Sequence, residues 1–339
     1  MKNILVTGGA GFIGSHALVE LVEAGMNPIV YDNLSNSTDK SLKAVESICG
    51  VYPKFYQADI LDEEALDRVF AENDIDAVIH FAGLKSVGES VAQPVRYYEN
   101  NVAGTVCLLK AMDRAGVRKI VFSSSATVYG SPKSCPISED FPLSTTNPYG
   151  ASKLMIESIL KDLYHSDHRW GITLLRYFNP IGAHKSGKIG EVPSGIPNNL
   201  MPYITNVAVG QLEKLHVFGN DYPTPDGTGV RDYIHVSDLA RGHVLALQRL
   251  EKYPEELNIY NLGTGTGYSV LDLVNTFMEV TGIDIPYVID PRRPGDIAEC
   301  YANPEKAKKE LGFEAQFGIK EMCEDAWRWQ EGHPHGYED

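Results

Sequence analysis

The sequence predicts a doubly wound α/β fold carrying a smaller second α/β lobe, and three features predict it. Short apolar runs alternate with amphipathic stretches through the first half. A glycine-rich turn separates the first apolar run from the first amphipathic one, and the composition changes beyond residue 180. At 339 residues the chain has the length of one large domain plus a smaller one.

The apolar runs 3–7, 28–31, 77–80, 119–123 and 172–176 are rich in Val, Ile and Leu. Such runs read as strands of a parallel sheet buried on both faces. The first amphipathic stretch follows Gly14, repeats apolar residues at Leu18, Leu21 and Val22, and stops at Gly25, a residue suited to a helix C-cap. This βαβ alternation implies a doubly wound sheet. Residues 180–233 are rich in Gly, Pro and Asn but interleaved with apolar and aromatic residues, which predicts ordered loops of a second, ligand-binding lobe.

Composition narrows the function. The formal charge of −15 argues against a nucleic-acid partner and requires local arginines wherever an anion binds. The five cysteines are odd in number and contain no CxxC, so neither a disulfide framework nor a zinc cluster is expected; no metal site is predicted. With no signal-like segment and no apolar stretch long enough to span a bilayer, the expected location is the cytoplasm, away from membranes.

Chemistry begins at Thr7-Gly8-Gly9-Ala10-Gly11-Phe12-Ile13-Gly14, between the first strand and the first helix. Glycines at 8, 11 and 14 allow a tight turn and close approach of a pyrophosphate to a helix N-terminus. Asp32, at the end of the second strand, suits an adenosine ribose diol and repels a 2′-phosphate, so NAD is expected rather than NADP. The GxxGxxG spacing resembles the extended branch of the short-chain dehydrogenase/reductase family, and with it the Rossmann fold. His165 and His168 read as a solvated helix end, and Gly263, Gly265 and Gly267 as a tight turn rather than a second phosphate loop.

Tyr149 and Lys153 are four residues apart, behind Asn147 as a candidate N-cap and Pro148 as first helical residue. One helical turn then places both on one face. A phenol must ionise far below its ordinary value near ~10 to act as a base at neutrality, and the neighbouring ammonium is expected to favour the phenolate. A third member, a hydroxyl that relays the proton, is expected from the run Ser123 to Thr127.

Longer segments sharpen the resemblance. TGGAGFIGSH, HFAGLKSVGESV, SSSATVYG, NPYGASK, LRYFNPIGAH, IPNNLMPYI, FGNDYPTPDGTGVRDYIHV, YNLGTGTG and PRRPGD resemble the UDP-glucose 4-epimerase family over nearly the whole chain. The resemblance implies reversible 4-epimerisation through a 4-keto sugar with tightly held NAD, and a homodimer formed through a helix bundle. It implies cofactor contacts at Gly8, Gly11, Phe12, Ile13, Gly14, Asp32, Asn33, Asn36, Ser37, Asp59, Ile60, Phe81, Ala82, Gly83, Lys85, Asn100, Ser125, Tyr149, Lys153 and Phe178. For the UDP-sugar it implies Ser125, Tyr149, Asn179, Asn199, His216, Val217, Phe218, Arg231, Arg293 and Asp296, with Tyr149, Lys153 and Ser125 catalytic. The expected division is an NAD-binding part at 1–180, rejoined by the chain at about 232–262, and a UDP-sugar part at 181–339.

Cys300 stands where some bacterial members carry a tyrosine, and the smaller residue is expected to admit 2-acetamido sugars. Related 4,6-dehydratases usually carry an Asp-Glu pair beside the catalytic threonine, whereas this chain reads Ser125-Ala126-Thr127-Val128. A UDP-glucuronate decarboxylase fits the late segments less well. A non-catalytic NAD-sensing regulator tends to lose the Tyr or the Lys, and both are present.

Overall fold

Seven parallel strands form the main sheet of the computed structural model, which describes residues 1–193, 195–293 and 295–338. The first six are β1 (Asn3–Thr7), β2 (Asn27–Asp32), β3 (Lys54–Gln57), β4 (Ala77–His80), β5 (Lys119–Ser125) and β6 (Gly171–Tyr177). The seventh, Leu257–Leu262, pairs with β6, and the order across the sheet is Leu257–Leu262, β6, β5, β4, β1, β2, β3. The order reverses between β1 and β4, which opens a crevice at their carboxyl ends, the place where doubly wound sheets bind ligands.

Both faces of the sheet are covered by helices, which is why the central strands are apolar along their whole length. On one face Val6, Val30, Ile79 and Val121 pack with Leu18, Leu21, Leu247 and Leu250 from helices Phe12–Glu23 and Val236–Lys252. On the other, Leu5, Val78, Ile120 and Phe122 meet Leu66, Leu108, Met112, Ile156 and Leu160. A third cluster lies in the later half, where Met201, Ile204, Val217, Leu273, Phe277 and Met322 are buried together.

Two sequence expectations shift in detail. The first helix starts at Phe12, not after Gly14, because Gly11 already has the extended N-cap geometry and Gly14 packs into the first turn. β5 and β6 each run further than their apolar cores, to Ser125 and Tyr177, since ladder pairing continues through the polar ends. Those extra residues reach the crevice.

Helix Pro148–Ser166 forms as its sequence predicts. Asn147 Oδ1 accepts the Gly150 N–H at 2.9 Å and Pro148 occupies the first turn.

Candidate active site

The glycine turn leaves β1 at Gly8, whose φ of +72° is a left-handed conformation open to glycine. At Gly14 a Cβ would come within 2.2 Å of the Gly8 carbonyl oxygen, so only glycine lets the first helical turn lie on the loop. At Gly11 a Cβ would meet nothing closer than that same oxygen at 3.4 Å, which leaves its face of the loop open. Gly11 supplies no side-chain cap to helix Phe12–Glu23, so the N–H groups of the first turn are available to an anion. These features fit a dinucleotide pyrophosphate.

Asp32 closes β2 beside this loop. Its carboxylate accepts the Ala10 N–H at 3.0 Å, the Leu34 N–H at 2.9 Å and the Ser37 hydroxyl at 3.0 Å, so its orientation is fixed. Asn33 donates to Asp59 at 2.8 Å, which brings the 32–37 stretch, including exposed Asn36, together with Asp59 and buried Ile60. From the other side of the crevice, the Phe81 and Ala82 N–H groups donate to the Thr7 carbonyl at 3.0 and 3.1 Å. That carries the chain through Gly83 and Leu84 to Lys85, above the switch point.

Tyr149 and Lys153 are both buried on helix Pro148–Ser166. The three consecutive serines of β5 have separate tasks. Ser124 donates to buried Glu157 at 2.6 Å. The Ser123 hydroxyl meets His243 Nε2 at 3.1 Å, while its carbonyl accepts the Lys153 ammonium at 2.8 Å. Ser125 turns to the phenol. Its oxygen accepts both the N–H and the hydroxyl of Thr127, at 3.2 and 3.0 Å, so its own proton is directed to Tyr149.

Burial raises the Tyr149 phenol above its ordinary value, opposed by hydrogen bonds from Ser125 and Tyr177 and by the charge of Lys85. Lys153 lies one helical turn along. Its ammonium is engaged with Ser123 and lies 4.8 Å over the Phe122 ring, and burial lowers it to about 8. Behind it His80 and His243 are held neutral by burial, at about 3 and about 4.

The remaining expected residues fall into three groups. Asn100 donates to Asn101 at 2.9 Å, Phe178 is buried after β6, and Asn179 hydrogen-bonds the Asp232 carbonyl through its N–H at 3.0 Å. Arg231 and Cys300 are register partners on the short strands Val230–Arg231 and Glu299–Cys300. His216, Val217 and Phe218 lie on strand Leu215–Phe218, where His216 bonds Asp290 at 2.6 Å. The Arg293 guanidinium lies 4.9 Å over the Phe218 ring and donates to Asp296 at 2.9 Å.

Three residues of the site escaped the sequence reading. Tyr177 is the register partner of Ser125 and hydrogen-bonds Tyr149. Asn101, in the π-helical turn Tyr98–Ala103, clamps both backbone groups of Leu84 at 2.8 and 3.0 Å and donates to Ser152 at 3.0 Å. Glu191 bonds Lys85 at 2.9 Å and Asn199 at 3.1 Å. Adjacency was the available signal for the first two, which neighbour the expected Phe178 and Asn100.

His165 and His168 are exposed at the end of helix Pro148–Ser166, and Arg169 holds the intervening Asp167 at 2.7 Å. The turn 263–267 hydrogen-bonds Asp232 through the Thr264 and Gly265 N–H groups at 2.8 and 3.1 Å. No helix among the described residues is long and apolar enough to cross a membrane.

The chain is similar to known proteins over nearly its whole length. The family described as GDP-mannose 4,6 dehydratase matches residues 5–326. A UDP-glucose 4-epimerase of Bacillus subtilis is 63% identical over 334 residues, covering 98% of each chain. Among solved structures, a Bifidobacterium longum UDP-glucose 4-epimerase in complex with NAD⁺ and UDP is 55% identical, with a TM-score of 0.96 over 99% of this chain and 100% of that one. A UDP-glucose 4-epimerase from Stenotrophomonas maltophila, with bound NAD and formylated UDP-arabinopyranose, is 50% identical, with a TM-score of 0.97 over 98% of this chain and 99% of that one.

Proposed function

This chain belongs to the UDP-glucose 4-epimerases, within the span matched by the dehydratase family, and from that premise we propose how its residues carry the interconversion of UDP-glucose and UDP-galactose. The carrying observation is one buried cluster, Tyr149 drawn down by Ser125 and Tyr177 with Lys153 one helical turn away, in a fold whose glycine loop fits a dinucleotide pyrophosphate.

NAD, when bound, accepts the hydride from sugar C4 and later returns it. Its pyrophosphate would lie on Gly11, Phe12 and Ile13, its adenosine ribose on Asp32, and its nicotinamide end toward Lys153 and Phe178. Tyr149 takes the proton of the sugar 4-hydroxyl as the C4 hydrogen leaves with its electron pair, which gives a 4-keto sugar, and returns the proton to the same oxygen once hydride has been delivered to the opposite face of C4. Ser125 relays that proton, since Thr127 holds its hydrogen toward the phenol. Lys153 adds positive charge along the helix and stays fixed by Ser123. Arg231 and Arg293 offer planar forks to the diphosphate, so binding strength resides in UDP and the hexose is free to turn. The absence of a carboxylate beside Thr127 argues against water elimination, although the matched family bears a dehydratase name.

Residues 1–180 with 232–262 are read as the NAD half and the rest of 181–339 as the UDP-sugar half. Strand Leu257–Leu262 in the main sheet and the separate core around Phe277 support this division. The working form is read as a homodimer. Val91 and Val95 are 63% and 77% exposed, and Met155 on the adjoining helix is 46% exposed, an apolar face suited to a second copy. The cytoplasm is the proposed location, consistent with five unpaired cysteines. Acceptance of N-acetylated sugars is proposed from Cys300, which packs, as do small Cys135 and Ala126, against the cluster that holds Phe178.

The test is a proton NMR time course with UDP-galactose and no added NAD. Conversion to UDP-glucose is expected, and its loss in Tyr149→Phe. An inactive wild type, even with NAD supplied, would overturn the reading.

A further inference from the structure

Glu191 lies on the loop between β6 and helix Leu200–Ala208, with a side chain only 11% exposed. One oxygen, Oε1, accepts both the Lys85 ammonium at 2.9 Å and the Asn199 amide at 3.1 Å. Its own carbonyl accepts the Trp329 indole N–H at 3.4 Å, which ties the loop to the C-terminal helix. Lys85 comes from the loop after β4, two strands away from β6. Its stem is open to solvent, so packing alone does not place its charge. The residue before it is rigid: Asn101 clamps Leu84, and Leu84 packs with Tyr97 directly on Tyr149.

We propose that Glu191 is a positioning residue, whose carboxylate holds the Lys85 ammonium beside the Tyr149 phenol and joins the cofactor loop to the sugar-binding Asn199. The inference rests on Tyr149 being the proton acceptor. A carboxylate in a crevice, on a chain of formal charge −15, works against binding an anionic substrate, so its position calls for a compensating task. Lys85 is that compensation: the pair is neutral, and the Lys85 charge is the one that acts on the Tyr149 phenol. Its charge pulls the phenol down, while Glu191 acts on Tyr177, whose phenol is held well above its ordinary value, first by burial.

The other groups facing Tyr149 are accounted for. Lys153 is bonded to Ser123, and Tyr97 turns its hydroxyl to Glu89 at 2.8 Å. Arg96 is likewise held by Glu89, and His80 and His243 behind Lys153 are neutral. The Lys85–Glu191 balance is therefore the adjustable part of the field at the phenol.

The experiment is the pH dependence of kcat/KM for UDP-galactose in purified holoenzyme. Glu191→Gln releases Lys85 from its place beside the phenol, so the acid limb moves to higher pH by about one pH unit. Lys85→Met removes the charge outright, so the limb moves in the same direction by a similar amount. The double variant matches Lys85→Met, because Glu191 acts on the phenol through Lys85, whereas a mere loss of scaffolding would add a second deficit. A limb unmoved in Glu191→Gln, with only KM raised, would overturn the proposal. So would shifts of opposite sign in the two single variants. A Tyr149→Phe enzyme that retained full turnover would instead refute the underlying assignment of the base.

Discussion

Ser125 and Tyr177 are register partners at the ends of β5 and β6, and both hydroxyls act to lower the phenol of Tyr149. Two neighbouring parallel strands thus deliver two donors to one oxygen on a helix that crosses their ends. Donors to a phenolate oppose the cost of burying it. Tyr177→Phe removes one donor and keeps the ring, so the phenol should ionise later. The acid limb of kcat should rise by about one pH unit and turnover at neutrality fall about tenfold. A pH–rate profile of the variant checks this.

The ion pair behind the serine run is a separate matter of stability. Arg176 and Glu157 are both fully buried and bonded at 2.6 and 2.9 Å, with Ser124 as third partner on Glu157. Burial alone would raise the Glu157 carboxyl, yet Arg176 holds it below its ordinary value. Arg176→Met leaves the buried carboxylate with only the partly exposed Lys161 ammonium at 3.4 Å and should cost about 3 kcal/mol in urea unfolding. A folded carboxylate with a depressed value adds stability above its unfolded value, lost as pH falls through the folded one. The variant should therefore regain part of its deficit in mild acid, where Glu157 can take up a proton.

Three buried histidines predict acid sensitivity with the same arithmetic. Burial holds His16 and His80 at about 3 and His243 at about 4, against 6.5 unfolded. As pH falls below 6.5 the unfolded chain takes up protons that the native one refuses, so stability drops until the folded values are reached. Each histidine contributes about 1.4 kcal/mol per pH unit in that window, or about 4 kcal/mol per unit for the three near pH 5. Unfolding free energies measured across this range should show that slope, and His80→Gln should reduce it by about a third. A flat profile would contradict the buried, neutral assignment.

The glycine loop separates folding from cofactor retention. Gly11→Ala meets only the Gly8 oxygen at 3.4 Å, so the variant should melt near wild type yet purify with little bound nucleotide. Gly14→Ala drives a Cβ within 2.2 Å of backbone, and should lose cofactor and about 2 kcal/mol of stability together. Melting curves, with absorbance of nucleotide released on denaturation, distinguish the two.

What the sequence discloses and what it hides follow from range. The glycine turn, the Asn147 cap and the Tyr149–Lys153 pair are local patterns that local physics explains, and all are found where expected. β3 was missed because its four residues sit at the sheet edge with polar ends at Lys54 and Gln57, so no apolar run marks it. Strand Leu257–Leu262 alternates apolar with Asn258 and Asn261, and its partner β6 lies some eighty residues earlier. Tyr177 and Glu191 carry no motif of their own; they matter because strand register and a loop crossing the crevice bring them to Tyr149 and Lys85. The contribution of Lys85 to the field at the phenol was likewise hidden, since Lys85 acts from across the fold.

Cys300 offers the sharpest test of specificity. It pairs with Arg231 in a two-residue ladder and packs, like Cys135, against the cluster that holds Phe178, and burial pushes its thiol up to about 12, so it is neutral and not a nucleophile. Its proposed role therefore rests on volume. Tyrosine would add a ring and a hydroxyl beside Arg231, and the proposal is that this bulk takes the space a 2-acetamido group needs. Cys300→Tyr should therefore lower kcat/KM for UDP-N-acetylgalactosamine at least a hundredfold, about 3 kcal/mol, and change UDP-galactose turnover less than threefold. Equal losses on both sugars would mean that the ring disturbs Phe178 and the cofactor instead. A wild type inactive on the N-acetyl sugar would mean that another side chain closes the pocket, and Cys135→Ala would then show whether the neighbouring thiol is that residue.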